Sequence, residues 1–319
     1  MNPVNSNRLE RWTTDITQSV DFYNDWFMSF APKAYRDSRS AATEHVMRAL
    51  HQTSNMTNLS PDVLRSDPSV LVVLRMTTAP PLARDRLIGL AGVSPNLVRS
   101  MEMLRQVPRI NSEARTTTEL KRIGEVVLRL IDEDIFPWLN SGDMPSDHDV
   151  YRAATVVADR YCGAVADPII RNAQEKRQLD ALRDWLESRG YRLLEDSQRT
   201  DFRKIPQGTF GFRVNVPIQQ GLRQVNVPID AVVMPHHPQP GELPLLIEAK
   251  SAGDFTNPNK RRKEEATKIS QLRATYGQGL RFILFLCGYF DSGYLRYEAA
   301  EGIDWVWEHR IGDLVEFGL

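Results

Sequence analysis

Three residues in this chain have the types and spacing for one kind of chemistry. Asp230 is followed eighteen positions later by Glu248-Ala249-Lys250. Two carboxylates brought side by side, helped by the Ala249 carbonyl, offer the hard oxygen ligands that suit Mg²⁺ while leaving room for water and a phosphate. A cation held there polarises a phosphoryl oxygen and acidifies a bound water. A lysine two residues beyond the second carboxylate could orient or deprotonate that water, or neutralise charge growing on phosphorus. The chemistry is hydrolysis of a phosphodiester.

The surrounding residues are those needed to bring the trio together. Residues 225–234 (VNVPIDAVVM) are rich in β-branched side chains, and 243–249 (LPLLIEA) form an apolar run that ends in charge. Both read as strands. The Pro-rich stretch 235–241 between them predicts a hairpin or near-hairpin, which would set Asp230 beside Glu248. Lys250, two residues from Glu248, then shares its face of the strand.

This D…ExK arrangement resembles the PD-(D/E)XK nucleases, with Ile229 where that family usually has proline. The resemblance extends to both sides. Residues 171–177 (RNAQEKR) open a helix at the place where many such nucleases carry a further carboxylate, and Glu175 matches it. Residues 250–262 (KSAGDFTNPNKRR) and 307–310 (WEHR) are similar to type II restriction endonucleases, most closely the XamI-type group. The resemblance covers about the last 150 residues. It implies a restriction-endonuclease-like fold and Mg²⁺-dependent cleavage of double-stranded DNA at a short palindromic site. Asp230 and Glu248 become metal ligands, Lys250 the residue that acts on water, and Glu175 an auxiliary acid. A palindrome read by one kind of chain implies a two-fold homodimer. A DNA methyltransferase protecting the same site is implied as well.

The rest of the chain fits a DNA enzyme of two parts. Its 319 residues carry a formal net charge of −1, so any positive surface must be local. Residues 260–263 (KRRK) begin ten positions beyond the proposed metal site, and Lys268 and Arg273 extend that charge. Lys260, Arg261, Arg262 and Lys263 are expected to hold phosphates, which fixes register and makes binding salt-dependent. Ser251, Asp254, Thr256 and Asn257 are short hydrogen-bonding residues on the same segment and are expected to contact DNA, by the same resemblance. Cys162 and Cys287 have no metal-ligand spacing, which predicts free thiols in a reducing compartment. With no apolar leader and no membrane-length apolar window, a cytoplasmic protein is expected.

Residues 1–160 read as an all-α domain, and 161–319 as an α/β nuclease domain with a mixed central sheet flanked by helices. In the first, Phe22, Trp26 and Phe30 form a stripe that predicts a buried helix face. Residues 79–104 have the shape of a helix-turn-helix: a helix over 82–91, a turn at Gly92-Val93-Ser94, and a second helix from Pro95, with Ser94 as its cap. Asn96, Arg99, Ser100 and Met103 are expected to face outward, and asparagine and arginine suit base readout. The interruption of the helical pattern at 163–168 (GAVADP) predicts a domain boundary near residues 162–170. Two rival readings share these residues. One is a repair or junction-resolving nuclease of the same fold. The other is a helix-turn-helix DNA-binding protein without catalysis.

Overall fold

The structure is a computed structural model that describes residues 3–108, 112–195, 201–220 and 223–319, apart from the side chains of 164–167, 220, 257–262 and 264. The chain divides into two units, residues 31–170 and residues 1–30 together with 171–319. The expected division near residue 160 leaves out the second of these features, in which the first thirty residues cluster with the C-terminal half. The anchor is Asp304. Its carboxylate accepts from the backbone N–H groups of Val4, Asn5 (3.1 Å) and Ser6 (3.0 Å), and Trp12 packs edge-on against Trp305.

Two long helices run through the unit boundaries: α1 (Leu9–Gln52) and α8 (Asp147–Ser188). The break expected at 163–168 is absent, because α8 continues through Gly163 and carries Pro168 inside it. A proline removes one helix hydrogen bond, and the helix formers on both sides of it sustain the run. Between these helices lie α2 (Pro61–Ser66), α3 (Val70–Met76), α4 (Arg84–Ala91), α5 (Pro95–Arg99), α6 (Glu113–Arg129) and α7 (Trp138–Ser141). The 31–170 unit has its own apolar core, built from residues such as Leu50, Leu71, Leu87, Leu97, Ile123 and Val157.

The other unit is built on one mixed sheet whose spatial order equals its chain order: β1 (Arg192–Leu193), β2 (Thr209–Gln220), β3 (Arg223–Met234), β4 (Leu245–Ala252), β5 (Phe282–Gly288) and β6 (Asp304–Trp307). β2, β3 and β4 are antiparallel neighbours, whereas β4, β5 and β6 run parallel. The parallel crossovers are made by α9 (Thr256–Tyr276) and α10 (Ser292–Ala300). β5 is buried along its whole length, as its unbroken apolar run predicts for a strand covered on both faces.

Strand alternation sorts this unit into two cores. Val232, Leu246, Leu284 and Trp305 meet Ile269 and Leu272 of α9 on one face. Ala231, Leu245, Ile247 and Ile283 meet Leu182 and Leu186 of α8 on the other. Among the described residues no helix is long and apolar enough to cross a membrane.

Candidate active site

The β3–β4 ladder pairs Ala231 with Ile247, so the next position in register sets Asp230 opposite Glu248. The ladder ends there. β3 continues with β2 as a ribbon as far as Gln220 and Arg223, while β4 continues with β5. Asp230 and Glu248 therefore sit in a fork between diverging strands. By the period of two, both carboxylates and Lys250 lie on the α9 face with Val232 and Leu246.

The fork is held by specific bonds. Asp230 Oδ2 accepts from the Ala249 N–H at 2.9 Å. Lys250 Nζ donates to Glu248 Oε1 at 3.0 Å and stands 3.7 Å from Glu265. The second oxygen of Glu248 accepts from Lys268 Nζ at 2.8 Å, and the same ammonium group donates to the Pro228 carbonyl at 3.0 Å. Behind the strand, Gln178 of α8 donates to the carbonyls of Lys250 and Phe285. A cleft of about 550 Å³ opens over the site, walled by Glu248, Lys250, Lys263, Glu265, Lys268 and Gln271.

Electrostatics give each group a distinct state. Burial, followed by the neighbouring Glu248, pushes the Asp230 carboxyl up to about 6. Burial pulls the Lys250 ammonium down, yet Glu248 and Glu265 outweigh it and leave its pKa above the usual lysine value. Lys250 is thus a cation in this state. Two carboxylates whose repulsion raises a pKa form a site that a divalent cation would relieve, and their donor set is hard oxygen. The residues present fit Mg²⁺.

Sequence reasoning missed Glu265 on α9 and gave Lys268 only a share in the positive charge of that segment. Glu265, Lys268, Ile269 and Leu272 are spaced i, i+3, i+4 and i+7, so two charges occupy the helix stripe that faces the sheet. That placement was readable as a sign that the sheet opposite is polar at those positions. Glu265 is buried, accepts from Tyr294 Oη at 2.7 Å, and lies beside the buried Glu298. Burial, followed by Glu265, pushes Glu298 up to about 8, so this carboxyl is protonated at neutral pH.

Other expected site residues are placed differently. Glu175 lies on α8 and its carboxylate is bound by Arg213. Among the described residues no cluster of three or more acidic, histidine or cysteine side chains is poised for a metal. Arg213 stands opposite Asp230 in the β2–β3 register with a left-handed φ of 51°, an uncommon state for a residue with a Cβ. Ser251 Oγ is buried and has no hydrogen-bond partner. Asp254 Oδ1 accepts from the Thr256 N–H at the start of α9, and both residues are exposed. Lys263 is exposed at the cleft. Asn257, Lys260, Arg261 and Arg262 fall in α9, but their side chains lie outside the described residues.

In the 31–170 unit, α4 ends at the left-handed Gly92 (φ 60°) and α5 starts at Pro95, so two short helices meet across the turn at Gly92-Val93-Ser94. Leu87, Val93, Leu97, Val98 and Met101 are buried between the helices and their neighbours, whereas Asn96, Arg99 and Met103 are exposed. Ser100 is buried, contrary to its expected outward position. It falls at the first residue of a π-helical turn (Ser100–Leu104) that extends α5 and shifts the helix phase. Ser94 precedes α5 in extended backbone but makes no side-chain cap. Its N–H donates to Glu119 instead.

The stripe of Phe22, Trp26 and Phe30 is not a core face either. Trp26 and Phe30 stack at 5.3 Å, Phe22 is 41% exposed, and Phe22 and Trp26 flank the guanidinium of Arg177. Cys162 and Cys287 are free, as expected from their spacing, and both are buried.

Comparison with known proteins adds the following. A family model described as XamI restriction endonuclease matches residues 54–307. A type II restriction enzyme, SalI from Streptomyces albus G, is 50% identical over 315 residues, covering 99% of each chain. Among solved structures, a protein from Vibrio cholerae, VC1899, aligns over 86% of this chain and 55% of its own at 12% identity, with a TM-score of 0.28. A likeness that slight carries no argument.

Proposed function

The chain belongs to the XamI restriction endonuclease family, and from that premise we propose that Asp230, Glu248 and Lys250 are its catalytic centre, acting with Mg²⁺ on a short palindromic DNA site. It is a site-specific DNA endonuclease, a hydrolase. Family membership leaves no place for a DNA-binding protein without catalysis. The observation that carries the assignment of the site is the fork in which Ala249 N–H fixes Asp230 beside Glu248, under a cleft edged with lysines.

Asp230 and Glu248 would hold the cation, with the Ala249 carbonyl available beside them. When bound, Mg²⁺ supplies Lewis-acid polarisation of the phosphoryl oxygen and a more acidic water. Lys250 is held as an ammonium group by Glu248 and Glu265. In that state it donates to the attacking water or to a non-bridging phosphate oxygen, and stabilises the negative charge that develops on phosphorus. Lys263 at the cleft edge would hold the strand by its phosphates. Asn96 and Arg99 on α5 would read bases, in keeping with their exposure.

Reading a palindrome implies a homodimer with one strand cut per protomer. A cognate methyltransferase would protect the same sequence in the cytoplasm of the host. The test is a digest of unmethylated phage DNA by wild type and by Lys250→Ala, each with Mg²⁺ and with EDTA. Discrete fragments are expected from wild type with Mg²⁺ only, and sequencing their ends gives the site. Cleavage by Lys250→Ala at the wild-type rate, or persisting in EDTA, would remove the trio from catalysis.

A further inference from the structure

Both oxygens of Glu248 are engaged by ammonium groups. Oε1 accepts from Lys250 at 3.0 Å and Oε2 from Lys268 at 2.8 Å, inside a site where the Glu248 side chain is 8% exposed. If Glu248 is a metal ligand, a divalent cation must compete with at least one of these lysines. The two are held unequally. Lys250 lies between two carboxylates, Glu248 and Glu265, with Asp230 adding to the same field. Lys268 has Glu248 and the neutral Pro228 carbonyl at hydrogen-bond distance, and it interacts with Asp230 less strongly than Lys250 does. Lys268 is therefore the weaker tether in electrostatic terms.

Lys268 also has somewhere to go. It lines the wall of the cleft, in the company of Lys263 and Gln271, so the open side of its ammonium group is the cleft itself. The chemistry expected there is an anionic phosphodiester, for which a flexible point charge on a four-carbon stem is well suited.

We propose that Lys268 is an exchanging active-site lysine, which neutralises Glu248 while the divalent cation is absent and turns to a phosphate of the bound DNA strand when the cation arrives. Before cation and DNA bind, the buried carboxylate pair keeps a countercharge. Afterwards the same charge serves the substrate. This inference rests on the reading of Asp230 and Glu248 as metal ligands.

The test uses Ca²⁺ as the probe and titration calorimetry of the whole protein without DNA. A competitor seated on the ligand weakens apparent affinity by its own occupancy. Lys268→Met removes the charge and keeps the stem, and Ca²⁺ binding is expected to tighten on the order of tenfold. Lys268→Arg keeps the charge and is expected to bind Ca²⁺ no more tightly than wild type. A merely structural lysine predicts the opposite, because its loss would loosen the fork and weaken Ca²⁺. The second half is read by DNA binding in Ca²⁺, where Lys268→Met is expected to weaken affinity and reduce the salt slope by about one.

Both results are required, and failure of either overturns the exchange. Glu248→Gln separates this inference from the reading beneath it. If that variant loses Ca²⁺ while Lys268→Met does not gain it, the exchange alone falls. If it binds Ca²⁺ as wild type does, the metal site itself falls. Should Lys268→Met not fold in chelator, recovery of its fold by Ca²⁺ supports the exchange, and no recovery overturns it.

Discussion

The backbone N–H of Ala249 donates to Asp230 Oδ2 across 2.9 Å, so the strand that carries Glu248 and Lys250 also fixes the first carboxylate. Asp230 is locked into the fork by main chain, which moves less than a side-chain partner would. Burial first, and the neighbouring Glu248 second, raise the Asp230 pKa, so an ionised carboxylate is disfavoured at this position. Asp230→Asn keeps a carbonyl oxygen to accept from Ala249 and removes the repulsion. It is expected to raise the melting temperature by about 2 °C or more, the shift that roughly 1 kcal/mol produces in a chain of this size. Cleavage should fall by about 10³-fold, roughly 4 kcal/mol of transition-state stabilisation. A melting curve and a digest on the same preparation read both. A variant that is less stable as well as inactive would show that Asp230 serves the fold.

Glu265 acts on Lys250 from the helix side at 3.7 Å and is itself fixed by Tyr294 Oη. It acts through Lys250 and is a positioning residue. Glu265→Gln retains the hydrogen bond to Tyr294 and loses the charge that helps hold the ammonium group. A drop in kcat of about 10- to 100-fold is expected, the range for residues that orient a site's principal groups. KM for DNA should change little. Glu265→Asp, which keeps the charge, should recover part of kcat. A rise in KM with kcat intact would place Glu265 in substrate binding instead.

Much of this site was legible in the sequence because strands and turns are short-range devices. The Val- and Ile-rich run around Asp230, the Pro-rich turn and the apolar run before Glu248 together specify a hairpin, and the period of two puts Lys250 on the face of Glu248. Glu265 and Lys268 were harder to assign, because a charged helix segment reads equally well as a solvated face. Only the packing of Ile269 and Leu272 on the sheet shows which side of α9 turns inward. The role of Asp304 could not be read at all. Its partners Val4, Asn5 and Ser6 lie about 300 positions away, and no local pattern announces a contact of that span. The continuous α8 failed for a different reason. Gly163 and Pro168 are local breakers, and the helix carries both.

Glu298 gives the fold a pH dependence. Its carboxyl is buried and raised to about 8, against about 4.3 for a solvated glutamate in the unfolded chain. The folded state therefore binds the proton more tightly than the unfolded state does. The stability this supplies is complete below about 4.3 and is lost as pH rises towards 8, with a slope approaching 1.4 kcal/mol per pH unit. Glu298→Gln is neutral at every pH and should flatten that part of the profile, so that the variant is the more stable protein at pH 8. Urea unfolding followed by tryptophan fluorescence suits the measurement, since every tryptophan except Trp138 lies in the unit that holds Glu298. Parallel profiles for the two proteins between pH 5 and pH 8 would show that Glu298 ionises freely in the fold.

Asp304 ties the N-terminal segment to the last strand of the sheet. Its carboxylate accepts from Val4, from Asn5 at 3.1 Å and from Ser6 at 3.0 Å, and also from its own neighbour Trp305 at 2.8 Å. The Asn5 side chain adds a bond to the Trp305 carbonyl at 2.8 Å, and Trp12 donates to the Asn5 carbonyl at 3.0 Å. A charged acceptor shared by several backbone donors is strong, and each donor left unmet in a buried place costs about 1–3 kcal/mol. Asp304→Ala is expected to destabilise this unit by about 3 kcal/mol and to release the first residues to protease before global unfolding. Asp304→Asn, which keeps one acceptor oxygen, should lose less. Limited proteolysis with N-terminal sequencing, run beside the melting curves, distinguishes release of the segment from collapse of the sheet. Cleavage beginning elsewhere in the variant, with residues 3–12 still protected, would refute the anchoring role.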